Sequence, residues 1–433
     1  MTEALGIANL LALKTSTDSH YYTIHERYFS DNKLTCPACG STKTRCSKVV
    51  ERTFKDILWD EAPADESKEQ GFRVFDLTFY QTYLRCDGCN NIVFPEPIDF
   101  GEKRCRYTNR LADALADGTF RYSYKKVCDY YGVPASTASI GPIMRRRIRY
   151  RESLLLPVST PRKIGIMEAV FFREARPIIF ALRDDGVYCI DIFEDSSEET
   201  VLTFLRTLDP NEVETVYIDP VDSIRSAAVT AFPSAKLVVA DECILRYARN
   251  AMLEIIHEDG KRFSVQHKDN ALTMPNKHLQ GDFQRREVKN GMKSRPRLKS
   301  AYDQHQALME LMDSEWTYEE LKKWAHELPS DLTEFETLID VIDLFEQEIG
   351  DYIGTEEKPP DFYPTALNAV CEAFKKMPHC IFDVLRARCF LTIAHDTIEE
   401  NGMKYRLGIH TTRLTQNLNE ITTNIKEARE YGL

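Results

Sequence analysis

The chain has 433 residues, a formal net charge of −12, 43% hydrophobic content and 29% charged content. That balance excludes a disordered chain, which lacks the apolar material to offset its entropy, and it suffices for two or three cores. The Ala4–Leu13 apolar run is short and carries Glu3 in place of a basic lead-in, and nowhere else do about 18 apolar residues run together. The sequence therefore predicts an unexported protein with no membrane span.

The first chemistry in the chain is in its cysteines. Of twelve, four form two Cys-x-x-Cys pairs, Cys36/Cys39 and Cys86/Cys89, and the others are scattered. In a reducing compartment that pattern reads as metal ligands plus unpaired thiols. A two-residue gap lets one tight knuckle present both sulfurs to the same ion, and Zn2+ takes four thiolates tetrahedrally. The acidic loop from Leu58 to Gly71 and the alternating strand from Phe72 to Tyr80 can return the second knuckle beside the first. The expectation is a zinc ribbon with an N-terminal extension over residues 1–100, holding a structural Zn2+. The alternative, two unrelated knuckles, leaves a small β-module without a core. Cys46 and Cys105 are read as bystanders.

The net charge hides its distribution. Between Gly101 and Arg151 there are 12 Lys and Arg against 4 acids, a local charge of +8, so the remainder carries −20. A basic stretch in an acidic protein fits phosphate-backbone binding, although a solvated basic face gives the same count. Within residues 101–155, Thr108–Leu115 and Ser123–Tyr131 read as helices, the second with Val127 and Tyr130/Tyr131 on one side. Gly132-Val133 makes a turn, and a third helix starts near Ala135. That order predicts a helix-turn-helix, with Ser136, Thr137 and Ser139 at the end that enters a major groove and Arg145, Arg146, Arg147, Arg149 and Arg151 on phosphates. Pro142 either shortens the recognition helix or restarts it. A plain helical linker is the competing reading.

From Lys163 the texture changes. Lys163–Phe172, Ile178–Arg183 and Val187–Phe193 read as strands, the last two joined by the hairpin signal Asp184-Asp185-Gly186. Ser196-x-x-Glu199 reads as a capping box opening a helix. A strand over Val213–Ile218 ends on Asp219, a helix follows, and a strand over Lys236–Ala240 ends on Asp241. Three antiparallel strands, helix, strand, helix, strand is the order of a ribonuclease-H-like mixed α/β core, here assigned to residues 160–250 plus 360–395. In that fold carboxylates hold two metal ions about 3.5–4 Å apart for in-line phosphoryl transfer.

The ordered set of pieces resembles the bacterial ISL-three family of insertion-sequence transposases. It comprises Cys36-Pro-Ala-Cys-Gly-Ser, Arg85-Cys-Asp-Gly-Cys, Phe94-Pro-Glu96, Arg106-Tyr-Thr-Asn-Arg-Leu111, Gly165-Ile-Met-Glu168, Val216-Tyr-Ile-Asp219, Phe232–Asp241, Thr365-Ala-Leu-Asn-Ala-Val370 and Phe382–Arg388. The resemblance implies a zinc ribbon and helix-turn-helix that bind terminal inverted repeats, and a DDE core that cuts and joins strands. It also implies at least a homodimer, because two ends are paired. At the family's first catalytic aspartate this chain has Met167, and at its glutamate Thr365, so Asp219 is the one triad carboxylate left. Neither methionine nor threonine replaces a carboxylate on Mg2+. Glu168 alternates to the other face of its strand unless the register slips, and Glu372 lies two helical turns beyond Thr365, about 10 Å away.

Residues 251–359 read as a helical insertion with core-facing Leu338, Val341, Ile342, Phe345 and Ile349 and core Trp316 and Trp324. Phe283–Lys299 holds seven basic residues against Glu287, a second DNA contact or a solvated loop. Residues 396–433 read as a C-terminal helical tail. The expectation is a transposase-derived, sequence-specific binder of double-stranded DNA, inactive as a nuclease, without Mg2+, cytoplasmic and nucleoid-associated. It would serve as a regulator or as a DNA-recognition subunit. The alternatives are an active DDE transposase, and a scaffold whose acidic later half docks a partner protein.

Overall fold

A computed structural model describes residues 10–18, 21–28, 34–59, 72–89, 92–101, 106–133, 137–171, 174–260, 272–275, 279, 281–293, 295–354, 362–377 and 381–430. The chain divides into two compact units, Met1–Leu154 with Asp383–Thr392 and Glu420–Leu433, and Leu155–Phe382 with Ile393–Asn419. The cysteine module and the basic helices, expected as two domains, thus fall in one unit. The nuclease-like core and the helical insertion share the other.

In the first unit a five-stranded sheet runs β1-β2-β4-β3, with β5 on β4. Its strands are β1 (Leu10–Asp18), β2 (Tyr21–Tyr28), β3 (Thr44–Trp59), β4 (Phe72–Cys86) and β5 (Val93–Pro95). β3 and β4 pair antiparallel from Thr44 opposite Cys86 to Trp59 opposite Phe72. Leu58 and Trp59, read as the start of a loop, therefore extend β3, and residues 60–71 lie outside the described residues. Alternation places Phe75, Leu77 and Phe79 on one buried face with Phe54 and Phe100. Three of these rings, Phe54, Phe79 and Phe100, meet edge-on at 5.1–6.1 Å.

Three helices follow, α1 (Asn109–Arg121), α2 (Tyr124–Tyr130) and α3 (Thr137–Ser153). Thr108 and Ser123 cap the first two, their hydroxyls accepting from the Leu111 and Lys126 amides. Gly132 takes φ +61° just past α2, so the Val133 amide reaches back to the Cys128 carbonyl at 3.0 Å. Leu111, Leu115, Val127, Cys128, Val133 and Ile143 bury against Ile57 of β3. The packed side of α2 is thus Val127, Cys128 and Tyr131, while Tyr130 is exposed. The third helix runs unbroken through Gly141-Pro142, so neither the short helix nor the restart occurs. Asp56, fully buried on β3, ties strand to helix by accepting from the Thr108 hydroxyl (2.5 Å) and from Arg110 Nε (2.6 Å) and Nη2 (2.5 Å).

The second unit is built on a seven-stranded mixed sheet, order β10-β9-β6-β7-β8-β12-β11. β6 (Lys163–Phe171), β7 (Glu174–Arg183) and β8 (Gly186–Ile192) are antiparallel, and β9 (Thr215–Ile218) and β10 (Lys236–Val238) add in parallel on the β6 side. That is consistent with the ribonuclease-H-like order expected from the sequence. Every residue of β8 is buried, as in a strand covered on both faces. Connecting helices are α4 (Glu198–Leu205), α5 (Asp222–Ala231) and α6 (Asp241–Gly260). The cap of α4 is Ser197, whose hydroxyl accepts from the Thr200 amide, one residue later than expected.

The insertion supplies α7 (Gly281–Met292), α8 (Pro296–Met312), α9 (Tyr318–His326), α10 (Glu336–Leu344) and α11 (Glu346–Ile353). Trp316, Trp324, Leu338, Val341, Ile342, Phe345 and Ile349 are buried there as expected. Helix α12 (Phe362–Lys376) packs against β6 and β8, and the short α13 spans Phe382–Arg386. Residues 396–410, grouped with a helical tail, instead form a hairpin of β11 (Asp396–Glu400) and β12 (Met403–His410). Only Thr411–Glu430, α14, is helical. Asn401 (φ 52°) and Gly402 (φ 77°) form the tight left-handed turn that fits right-twisted strands, and β12 then pairs with β8. Among the described residues no helix is long and apolar enough to cross a membrane.

Candidate functional site

The four predicted cysteines come together. The sulfurs of Cys36, Cys39, Cys86 and Cys89 all lie within 4.8 Å of one another, with Cys36–Cys89 at 3.5 Å and Cys39–Cys86 at 3.7 Å. Thiolates about 2.3 Å from a tetrahedral ion stand about 3.8 Å apart, so the cluster could hold a metal ion such as zinc. The long β3–β4 pair explains the convergence, because Cys86 at the end of β4 lies opposite Thr44, just past the first knuckle. The Ala38 amide lowers the Cys36 thiol to about 7, outweighing burial, so one sulfur is already inclined to the thiolate form that binds metal. Leu84 and Phe94, with Leu34 beside them, supply the small core around the sulfurs.

The basic helix divides into two sets of arginines. On α3, Arg146 donates to Asp113 (2.8 Å) and Asn109 Oδ1 (2.8 Å), and Arg147 grips Asp117 through Nε (3.0 Å) and Nη2 (2.7 Å). Arg151 shares Asp117 (3.0 Å) and donates to the Leu391 carbonyl at 2.9 Å. Asp113 and Asp117 stand one turn apart on α1, so they form a ridge that three arginines of α3 clasp. Arg145 and Arg149 are exposed, four residues apart on one face, with no ion-pair partner among the described residues. Ser136 and the side chains of Thr137 and Ser139 lie outside the described residues. In the second basic segment Arg285, Arg286, Lys289, Lys293 and Lys299 are exposed. Arg297 instead braces Glu258, Glu334 and the Asp331 carbonyl.

At the carboxyl end of β9, Asp219 is 1% exposed. Its Oδ2 accepts from the Glu168 amide at 2.5 Å, and its Oδ1 accepts from Arg246 Nη2 at 2.6 Å and from the Cys243 thiol at 3.3 Å. Burial, with Asp219 adding to it, pushes the Cys243 thiol well above its ordinary range, so the sulfur keeps its proton and donates. Met167, next to Glu168 on β6, is 2% exposed. The Glu168 side chain accepts from the Ser196 hydroxyl, and Glu372 pairs with Lys375 at 2.8 Å. Neither carboxylate contacts Asp219 among the described residues. Helix α12 carries Thr365, whose side chain lies outside the described residues. Asp241, the first residue of α6, accepts from the Tyr352 hydroxyl (2.7 Å) and the Glu242 amide (3.1 Å).

Residues 164–357 match the family model of the DDE ISL3 type, described as Transposase. This segment is similar to transposases of the ISL3 type. No curated protein matches the chain significantly. The matched segment runs from β6 through α11, five strands of the second sheet and the helical insertion, so Asp219, Cys243 and Arg246 all lie inside the match. A transposase implies a divalent-metal centre, and the described residues around Asp219 do not fit one. A hard cation needs several charged oxygen donors in near-octahedral array. Met167 offers a thioether, and the oxygens of Asp219 are engaged by protein donors. Sequence reasoning missed Arg246 and Cys243, because each acts through a contact with Asp219 more than twenty residues away.

Proposed function

We propose that the protein is a transposase-derived, sequence-specific DNA-binding protein that grips double-stranded DNA through its first unit and does not cut it, acting as a regulator or as the DNA-recognition subunit of a larger assembly. The observation that carries the reading is that no carboxylate cluster forms around Asp219 among the described residues, where two-metal phosphoryl transfer needs several, and that Met167 is buried next to Glu168 on the adjoining strand. Support for the DNA grip comes from the cysteine cluster, whose spacing suits a structural Zn2+, and from the exposed Arg145 and Arg149. A homodimer follows from the family's pairing of two DNA ends.

The test mixes purified protein, labelled duplex from the gene's own flanking sequence, and Mg2+ or Mn2+, scoring binding and strand cleavage together. Binding without cleavage is the expected result. Cleavage that disappears in Asp219→Ala restores an active transposase, and no binding at all leaves the scaffold reading.

The two arginine sets give a sharper expectation. Arg145→Ala with Arg149→Ala removes two phosphate contacts, so the slope of log affinity against log salt falls by about 1.8. Arg147→Ala instead breaks the Asp117 clasp, costing roughly 1–3 kcal/mol of stability with the slope unchanged. Salt titrations by fluorescence anisotropy, with thermal melts of the same variants, check both. An unchanged slope in the double variant removes α3 from the interface.

A further inference from the structure

We propose that Arg246 is the resident cation of the former nuclease centre, its guanidinium holding at Asp219 the charge that a divalent metal ion carries in a working enzyme. The inference rests on the reading that the core does not cut DNA, and deepens it by saying what replaced the metal.

A carboxylate that is 1% exposed must be neutralised or paired, since an unpaired buried charge is among the costliest things a fold can hold. A metal ion would meet that need only with further charged oxygens around it, and at those positions the family resemblance implies Met167 and Thr365. A guanidinium has no such requirement. It is permanently charged, carries its own donors, and satisfies one carboxylate by hydrogen bonding alone. Arg246 sits one turn beyond Cys243 on α6, so the two side chains share a helix face and reach the same oxygen, Oδ1, at 2.6 and 3.3 Å. The Glu168 amide closes the other oxygen at 2.5 Å.

Two neighbouring groups that can ionise add no charge. Burial, reinforced by Asp219, raises the Tyr247 hydroxyl to about 12, and burial raises the Cys371 thiol to about 11, so both stay neutral at physiological pH. Lys375 is engaged with Glu372. Among the described residues Arg246 is the cation within ion-pair distance of Asp219. Asp219 has thereby changed from a group that would hold metal to one that fastens β9 and β6 to α6.

The experiment is a Mn2+ titration of the full chain with its cysteine cluster loaded, followed by calorimetry and by the Mn2+ paramagnetic resonance signal, on wild type, Arg246→Ala, Arg246→Lys and Asp219→Asn. Wild type is expected to show no Mn2+ binding that depends on Asp219. Arg246→Ala is expected to melt lower and to be partly restored by low concentrations of guanidinium. Arg246→Lys keeps a charge at the site and should remain blind to Mn2+, which tests the idea even if the alanine variant fails to fold. Wild-type Mn2+ binding that vanishes in Asp219→Asn overturns the proposal, as does an Arg246→Lys protein that takes up Mn2+, or an Arg246→Ala protein that folds with unchanged melting. Failure of the functional reading shows elsewhere, as absence of DNA binding in protein whose Mn2+ titration is as expected.

Discussion

Stripping the metal from the Cys36–Cys39–Cys86–Cys89 cluster, or substituting Cys86→Ser, is expected to abolish DNA binding while the second unit stays folded. The core around the sulfurs is small, with Cys36, Leu84, Cys86 and Phe94 as its buried members. A module of that size cannot bury enough apolar surface to hold its shape, and metal binding supplies the difference. Structural Zn2+ contributes an apparent ~10–16 kcal/mol in comparable small modules, far above the few kcal/mol such a core provides. Cys86 is fully buried, and the Gly88 amide donates to its sulfur at 3.2 Å, so serine there loses a ligand and disturbs the knuckle together. The consequence should spread along β3 and β4, which carry the Asp56 anchor of α1. The measurements are metal content against four-thiol titration, anisotropy with labelled duplex, and a melt in which the second unit's transition persists. Full DNA affinity in metal-free protein would show that the cluster is ornamental to binding.

Much of this fold was legible in the sequence where a local pattern and a tertiary demand coincide. The β6–β10 run could be read because each strand is a short apolar segment bounded by turn or cap residues, and because its order matches a known core. The cysteine cluster was legible from spacing alone. The hairpin over residues 396–410 was legible too, since Asn401-Gly402 is a strong hairpin signal, but the amphipathic texture beyond it drew the whole segment into a helix. The cap of α4 was misplaced by one residue because Ser196 and Ser197 are both competent. Ser196 instead serves Glu168 across the fold, a choice no local rule encodes. A charge count makes Arg145 to Arg151 one basic patch. Geometry splits it, because Asp113 and Asp117 engage three of the five arginines. At Asp219 the family resemblance implies Met167 and Thr365 in place of carboxylates, whereas the contact with Arg246 exists only once α6 is laid against β9.

That compensation leads to the second large effect, a thermodynamic cycle at Asp219 and Arg246. Arg246→Met should destabilise the second unit by about 3–5 kcal/mol, since it leaves a carboxylate that is 1% exposed facing one thiol and one amide. At roughly 2–4 °C per kcal/mol for a unit of this size, the melting temperature falls by about 6–20 °C. Asp219→Asn should cost a comparable amount, because it leaves Arg246, whose side chain is 32% exposed, without its charge partner, and the exposure places the loss at the lower end. The double variant should recover most of the loss, for a neutral amide beside a thioether of similar length to the arginine stem removes both charges at once. Buried pairs replaced together are often neutral in stability, whereas either half alone is not. A working metal centre predicts the opposite pattern: Asp219→Asn would relieve repulsion in the metal-free protein and Arg246 would matter little. The cycle is read by denaturant titration of the second unit's transition. Single costs below about 1 kcal/mol, or costs that simply add in the double variant, would mean that Asp219 and Arg246 are neighbours without being partners.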